Sequence, residues 1–113
     1  MSDHIVKAFD EELQKLKNML AQMGGLAEDE LAKAIDAISR RDSALADAVI
    51  GADAQVDQLE REIEERAILV IAKRQPMASD LREIMVAIRV SSDLERIGDF
   101  AKNIAKRTHA ISE

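Results

Sequence analysis

The chain has 113 residues and no cysteine, with 47% hydrophobic, 34% charged and only 2% aromatic residues. This length predicts a single domain over residues 1–113, and this composition is too apolar for a disordered chain. A net charge of −6 argues against nucleic acid as a partner, and the absence of cysteine excludes disulfides and thiolate metal sites.

The first predicted helix covers about residues 3–41, because apolar residues recur there every three or four positions. Gly24 and Gly25 interrupt it, and two glycines in a helix interior cost roughly 2 kcal/mol relative to alanine. The apolar spacing continues through both glycines without a change of phase, so we expect one helix and not two. The periodic positions are Phe9, Leu13, Leu16, Leu20, Met23, Ala27, Leu31, Ala34 and Ile38.

Two more helices are predicted over about residues 43–74 and 77–111. Asp42 or Ser43 can cap the second helix, and Pro76, the only proline, ends it. Three long amphipathic helices with short connections predict an all-α fold, an antiparallel three-helix bundle. The predicted core lines are Leu45, Val49, Ala52, Val56, Leu59, Ile63, Ala67 and Val70 in the second helix, and Val86, Val90, Leu94, Ile97, Ala101, Ile104, Thr108 and Ile111 in the third.

Each of these two helices has a second apolar line beside its predicted core line. A three-helix bundle closes with one seam from each helix, so we expect these extra side chains to lack a partner within the chain. A second copy of the chain would cover them, which predicts a homodimer or a larger assembly. The extra residues are Leu81, Ile84, Met85 and Ile88 in the third helix, and Ile50, Ile68 and Ile71 in the second.

Two short motifs each place a pair of carboxylates one helical turn apart. DAQVD (53–57) contains Asp53 and Asp57, and ERIGD (95–99) contains Glu95 and Asp99. Because Asp57 and Glu95 are almost equally far from the turn at residues 74–77, antiparallel packing brings the two motifs to matching heights. Like charges at this spacing destabilise a helix unless a cation lies nearby.

Two interpretations of these acidic motifs remain open. One is a solvated acidic face neutralised by Arg61 and Arg96, and the other is a metal site, because carboxylate oxygens suit Mg, Mn, Ca, Fe and Zn. The candidate ligands are Asp53, Asp57, Glu95 and Asp99, with Glu60, Glu64 and Asp93 as further candidates. The identity of the metal ion is not decided by oxygen ligands.

Other functional motifs are missing from the sequence. His4 and His109 form no Glu-x-x-His pair of the di-iron type, and neither a phosphate-binding loop nor a nucleophile elbow is present. An enzyme with a carboxylate-bound dimetal centre is therefore the alternative that the sequence favours least, and we expect no enzymatic activity. No signal peptide and no membrane span are predicted, so the expected location is the cytoplasm.

The stretches IAKRQPMASDLR (71–82) and DLERIGDFAKNIAKR (93–107) resemble the PhoU family, the negative regulators of bacterial phosphate uptake. The similarity extends from about Phe9 to Arg107. It implies a bundle whose paired acidic motifs bind multinuclear metal clusters, at Asp53 with Asp57 and at Glu95 with Asp99. It also implies the ATPase of the phosphate ABC transporter and the membrane sensor histidine kinase as partners.

Members of the PhoU family contain two similar three-helix bundles, whereas this chain has one and resembles the N-terminal half. It is then either a fragment of such a protein or a single-repeat member that pairs with itself. The resemblance implies negative regulation of phosphate uptake and phosphate-starvation signalling. The alternative is a metal-binding helical protein without a signalling role.

Overall fold

The computed structural model describes residues 2–112, with the side chains of residues 5–112. Three helices follow one another, α1 (Ser2–Arg40), α2 (Ser43–Arg74) and α3 (Ala78–Ser112), and each packs against the other two. The bundle measures 64 by 17 by 17 Å. The all-α three-helix bundle is confirmed, and every helix end lies within one residue of its predicted position. Within the described residues, no helix has an apolar stretch long enough to cross a membrane.

The two turns follow from local chemistry. Asp42 precedes α2 in an extended conformation (φ −94°, ψ 97°), and its carboxylate accepts a hydrogen bond from the Leu45 amide at 3.0 Å. At the other end, Gln75 adopts a left-handed conformation (φ 47°, ψ 55°) and its amide donates to the Ile71 carbonyl at 3.0 Å. Pro76 follows and cannot continue the helix, because it has no amide hydrogen.

Helix α1 passes through Gly24 and Gly25 without a break, as predicted. A Cβ on Gly24 would lie 3.9 Å from the Leu94 side chain, whereas a Cβ on Gly25 would meet nothing within 4 Å. The glycines therefore do not mark a turn. The continuous apolar face of α1 outweighs their low helix propensity.

The hydrophobic core consists of two clusters at different heights along the bundle. The cluster near the α2–α3 turn is built around large side chains, and the other is dominated by alanine. The first contains Leu13, Leu16, Met19, Met23, Val56, Leu59, Ile63, Ala67, Val70 and Ile84. The second contains Ala34, Ala37, Ala46, Val49, Ala101 and Ala105.

The predicted core line of α3 is partly wrong. Val86, Val90, Ile97 and Ile111 are 54%, 37%, 39% and 47% exposed. The buried residues of α3 are instead mostly small, which lets its backbone approach α1 and α2 closely and turns the bulky side chains toward the edge. They are Ile84, Ala87, Ser91, Gly98, Ala101, Ala105 and Thr108. In α2, likewise, Ala52 is exposed and its neighbour Asp53 is buried.

The second apolar lines do not form an uncovered patch, which contradicts that part of the prediction. Ile84 is fully buried in the first cluster, and Ile88 and Ile71 pack against it. Ile50 packs against the second cluster. Leu81 is half-buried, and only Met85 and Ile68 are more than half exposed. A single wide core accommodates most of these side chains, because α3 is rotated relative to the predicted orientation.

Candidate metal site

A polar region separates the two hydrophobic clusters. Glu30 of α1, Asp53 of α2 and Gly98 of α3 are all buried there, although two of them carry carboxylates. Glu30 is 3% exposed and Asp53 is 1% exposed. The core of the bundle is therefore interrupted by acidic groups from two helices.

The position of each carboxylate follows from helical spacing. Glu30 is three residues after Ala27 and four before Ala34, and both alanines are buried. Asp53 lies between the buried Val49 and Val56 at the same kind of spacing. Because residues three or four apart share a helix face, the apolar neighbours carry these carboxylates into the bundle when it folds.

The buried polar side chains differ in how well they are satisfied. Among the described residues, Ser91 donates to the Ile88 carbonyl at 2.7 Å and Thr108 to the Ile104 carbonyl at 3.3 Å. All four carboxylate oxygens of Glu30 and Asp53 are buried and have no hydrogen-bond partner. Most buried polar atoms in proteins have a partner, so this pair requires an explanation.

Asp57 and Asp99 extend this region to the surface. Asp53, Asp57 and Asp99 each place one carboxylate oxygen so that all three oxygens lie within 4.8 Å of one another. Asp53 is buried, Asp57 is half-buried and Asp99 is exposed. The two acidic motifs thus meet across α2 and α3, as their matched distances from the turn indicated.

Gly98 provides the space in front of Asp53. A Cβ at this position would come within 2.9 Å of Asp53 Oδ1 and 3.3 Å of a Val56 methyl group. A contact of 2.9 Å is too short for a side chain without a shift of its neighbours. Glycine in a helix interior costs about 1 kcal/mol relative to alanine, and here it leaves room beside a carboxylate.

Glu95 and Glu60 border the three central aspartates. The pKa of Glu95 is raised to about 7 by a hydrogen bond with Asp99, by burial and by the charges of Asp99, Glu60 and Asp57. Burial raises the pKa of Glu60, and the charges of Glu64, Asp57 and Asp99 add to this effect. Glu64 therefore lies close enough to Glu60 for its charge to act on that carboxylate. These three glutamates remain candidate ligands at the rim.

Asp93 lies apart from the cluster. It is six residues before Asp99, which places it about 120° around the helix at 100° per residue. Its carboxylate is 3.5 Å from Arg96 on the exposed side of α3. As a result, Arg96 is engaged by Asp93 and does not neutralise the central aspartates.

Lys102 is the cation nearest to the centre, and the sequence patterns did not single it out. Its ammonium group is 3.9 Å from Asp53 Oδ2, a distance that allows electrostatic attraction without a direct hydrogen bond. The positive charges of Lys102 and Arg61 partly offset the rise in the pKa of Asp57, which is caused by burial and by Asp53 and Asp99. One half-exposed lysine does not balance the acidic groups that meet here.

Glu30 is the site residue that the sequence patterns missed. Burial, the adjacent Asp53 carboxylate and the charges of Asp53, Asp57 and Asp99 together raise its pKa from 4.5 to about 8. A signal was present in the sequence, since Glu30 interrupts the line of Met23, Ala27, Ala34 and Ala37.

The donor set fits a hard or borderline cation. All of its donors are carboxylate oxygens, which suit Mg, Mn, Fe and Zn, and histidine is absent from the group. The unsatisfied buried oxygens and the space at Gly98 both favour an occupant with positive charge. Metal binding by Asp53, Asp57, Glu95 and Asp99 stays a prediction.

The raised pKa values predict how the stability of the metal-free protein changes with pH. Glu30 and Glu95 hold protons more tightly in the folded chain than in the unfolded chain, so folding is favoured at low pH. Stability is lost as the pH rises from about 5 toward the folded-state pKa values of about 7 and about 8. In a chelator, we expect the melting temperature to fall by roughly 5–15 °C between pH 5 and pH 8, since 1 kcal/mol corresponds to about 4–8 °C.

Differential scanning calorimetry at several pH values measures this slope. Glu30→Gln should reduce it, whereas the exposed control Glu28→Gln on the same helix should leave it as in the wild type. A melting temperature that rises over this interval in the chelated wild-type protein would contradict the prediction.

Comparison with known proteins agrees with the resemblance in the sequence. The family described as the PhoU domain matches residues 20–108. The chain is 55% identical over 109 residues to a "Phosphate-specific transport system accessory protein PhoU homolog" of Rhizobium meliloti (strain 1021), covering 96% of this chain and 46% of that protein. It is 49% identical over 113 residues to a protein of the same name from Caulobacter vibrioides (strain NA1000 / CB15N), covering 100% of this chain and 49% of that protein.

A further relative is the "Phosphate-specific transport system accessory protein PhoU" of Serratia marcescens, 44% identical over 106 residues, with 94% of this chain and 44% of that protein covered. The chain spans about half the length of these curated relatives. Because the match covers most of the described bundle, including α2, the acidic motifs and nearly all of α3, the chain belongs to the PhoU family.

Proposed function

We propose that this chain acts in the cytoplasm as a negative regulator of phosphate uptake and phosphate-starvation signalling. One observation carries the proposal: relatives named as accessory proteins of the phosphate-specific transport system are up to 55% identical to it over nearly its whole length. Those relatives are named for an accessory role and not for a reaction. Regulation by binding, without catalysis, is the function that fits this name.

The proposed mechanism is docking on two partners, the ATPase of the phosphate ABC transporter and the sensor histidine kinase. The bundle is a rod 64 Å long whose helices all run along it. Such a shape offers long helical faces on which partner proteins can pack. Docking at both partners would allow transport activity and kinase signalling to be repressed together.

A bound metal ion would act on the bundle itself. A cation held by Asp53, Asp57, Glu95 and Asp99 neutralises acidic groups from α2 and α3 and ties these two helices together. We propose that the ion is iron, zinc, magnesium or manganese, as the all-oxygen donor set permits. Its binding would stiffen the middle of the rod and so stabilise the faces offered to partners.

A metal-binding protein without a signalling role is the second candidate. The observation that favours it is the burial of four carboxylate oxygens without hydrogen-bond partners. Such burial favours a bound cation whether or not the chain also binds another protein. The two candidates differ in one respect: only a regulator binds the transporter ATPase or the kinase.

We also propose that the chain forms a homodimer through the outer side of α3. Val86, Val90, Ile97 and Phe100 are exposed there and lie within about 80° of one another around the helix. Beside them, an apolar cleft of about 430 Å³ runs between α1 and α3 and is lined by Leu13 among others. A second copy of this chain is the proposed occupant, because it presents the same apolar strip and a two-fold dimer is self-complementary.

The regulatory function predicts binding to both partners. We expect the immobilised chain to retain the purified transporter ATPase and the cytoplasmic part of the kinase in a pull-down assay. We also expect its expression to lower a phosphate-starvation reporter in a host that lacks its own accessory protein. Metal binding without retention of either partner, and with an unchanged reporter, would favour the second candidate and contradict the regulator.

The metal site predicts a loss of bound metal in Asp57→Asn/Asp99→Asn, because two of the three converging carboxylates are neutralised. We expect elemental analysis by mass spectrometry to show bound metal in the wild type and less in the variant, because the metal affinity of the variant should be at least about tenfold lower. The control Asp10→Asn/Asp93→Asn removes two exposed charges outside the central group and should keep the metal. The metal occupancy should also decrease as the pH is lowered, since the carboxylates must lose their protons to bind the metal. Equal metal content in the two variants would place the site elsewhere.

The assembly predicts a species near twice the 12.5 kDa of one chain in sedimentation equilibrium at micromolar concentration. Val90→Asp/Ile97→Asp should give monomers, because charges in the apolar strip oppose its burial. The matched control Ile68→Asp/Leu69→Asp changes two exposed apolar residues of α2 and should remain dimeric. A clean 12.5 kDa wild-type species would overturn the proposed dimer.

A further inference from the structure

We propose that Glu30 belongs to the metal site, so that the site joins all three helices and not only the two that carry the paired acidic motifs. This inference rests on the proposed metal binding at Asp53, Asp57 and Asp99. It concerns a residue of α1 that lies outside both motifs. Its consequence is that occupancy of the site controls how firmly α1 is held.

The position of Glu30 places it at the inner wall of the site. A Cβ built on Gly98 would lie 3.6 Å from Glu30 Oε2 and 2.9 Å from Asp53 Oδ1. Both carboxylates therefore line the same space in front of Gly98. Asp57 and Asp99 approach Asp53 from the outer side, where their oxygens come within 4.8 Å of it. Asp53 thus lies between an inner glutamate and two outer aspartates.

The surroundings of Glu30 offer no compensating charge from the chain. It is 3% exposed, and neither of its oxygens has a hydrogen-bond partner. Lys33, one turn further along α1, pairs with Asp29 at 2.8 Å. Lys102 approaches Asp53 Oδ2, and the described part of the chain shows no ion pair to Glu30. A cation bound in this space would compensate both buried carboxylates together.

A purely structural role accounts poorly for a glutamate at this position. Its helical neighbours on the buried face, Ala27 and Ala34, are small and apolar. Replacing buried charged groups with apolar side chains of similar volume often leaves the stability of a protein unchanged or increases it. An unpaired carboxylate lowers the stability of the empty bundle. It becomes favourable only when an occupant of opposite charge is present.

The test compares Glu30→Gln with Glu28→Gln, an exposed glutamate on the same helix. Titration of the chelator-treated full chain with Mn²⁺ gives the affinity, and thermal melts with and without Mn²⁺ give the metal-dependent stabilisation. We expect Glu30→Gln to bind Mn²⁺ at least about tenfold more weakly, the lower end of the loss seen for groups that support a metal site. Its metal-free melting temperature should equal or exceed that of the wild type, and Glu28→Gln should behave as the wild type in both assays.

A second measurement uses the wild-type chain, so it does not depend on the folding of a variant. Mn²⁺ should slow amide hydrogen exchange in α1 around residues 26–34 as well as in α2 and α3. Protection confined to α2 and α3 would overturn the inference.

The outcomes separate this inference from the proposed site. Wild-type Mn²⁺ affinity in Glu30→Gln, together with loss of binding in Asp57→Asn/Asp99→Asn, would reject a role of Glu30 and keep the site. Absence of Mn²⁺ binding by the wild-type chain would reject the site and this inference together.

Discussion

The burial of two carboxylates without partners, Glu30 and Asp53, is the constraint on which the rest of this structure depends. Moving an ionised carboxylate out of water costs several kcal/mol when nothing compensates it. The apolar clusters on either side of the pair offset that cost, since each buried aliphatic side chain contributes roughly 1.5–3 kcal/mol. Helix packing thus holds the acidic groups together, although their mutual repulsion opposes it. The middle of the bundle, where these acidic groups meet, is therefore the region in which we propose that a cation binds.

The small residues of α3 make this arrangement possible. Gly98, Ala101 and Ala105 bring the α3 backbone close to the other helices, and Gly98 leaves space beside Asp53. The small buried residues of α3 also affect the surface of the bundle. When small side chains take the buried positions, Val90 and Ile97 remain at the outer edge of the helix. The close packing of small side chains in α3 therefore accounts both for the acidic interior and for the exposed apolar strip that we propose as the dimer surface.

Much of the fold could be predicted because it depends on neighbours in the sequence. The helix ends at Asp42 and Pro76 follow from capping and from a missing amide hydrogen, and the unbroken phase of α1 outweighs two glycines. The orientation of α3 could not be predicted in the same way. Hydrophobicity favoured Val86 and Ile97 as core residues, whereas close packing favoured the alanines and Gly98. Hydrophobic patterns rank side chains by apolar character and contain no information about how closely two backbones approach.

For the candidate site, the sequence by itself determined that Asp53 and Asp57 lie one turn apart on α2, that Glu95 and Asp99 do so on α3, and that the two pairs have matching heights. Only the tertiary structure decided which groups meet. In the folded chain, Glu30 lies beside Asp53, and Lys102, not Arg96, is the cation near the aspartates. Asp93 lies on another face of α3, where it pairs with Arg96. The physical reason is that spacing along one helix is set by its own geometry. The distance between side chains on different helices depends on how each helix is rotated about its axis, which the packing of all three helices sets together.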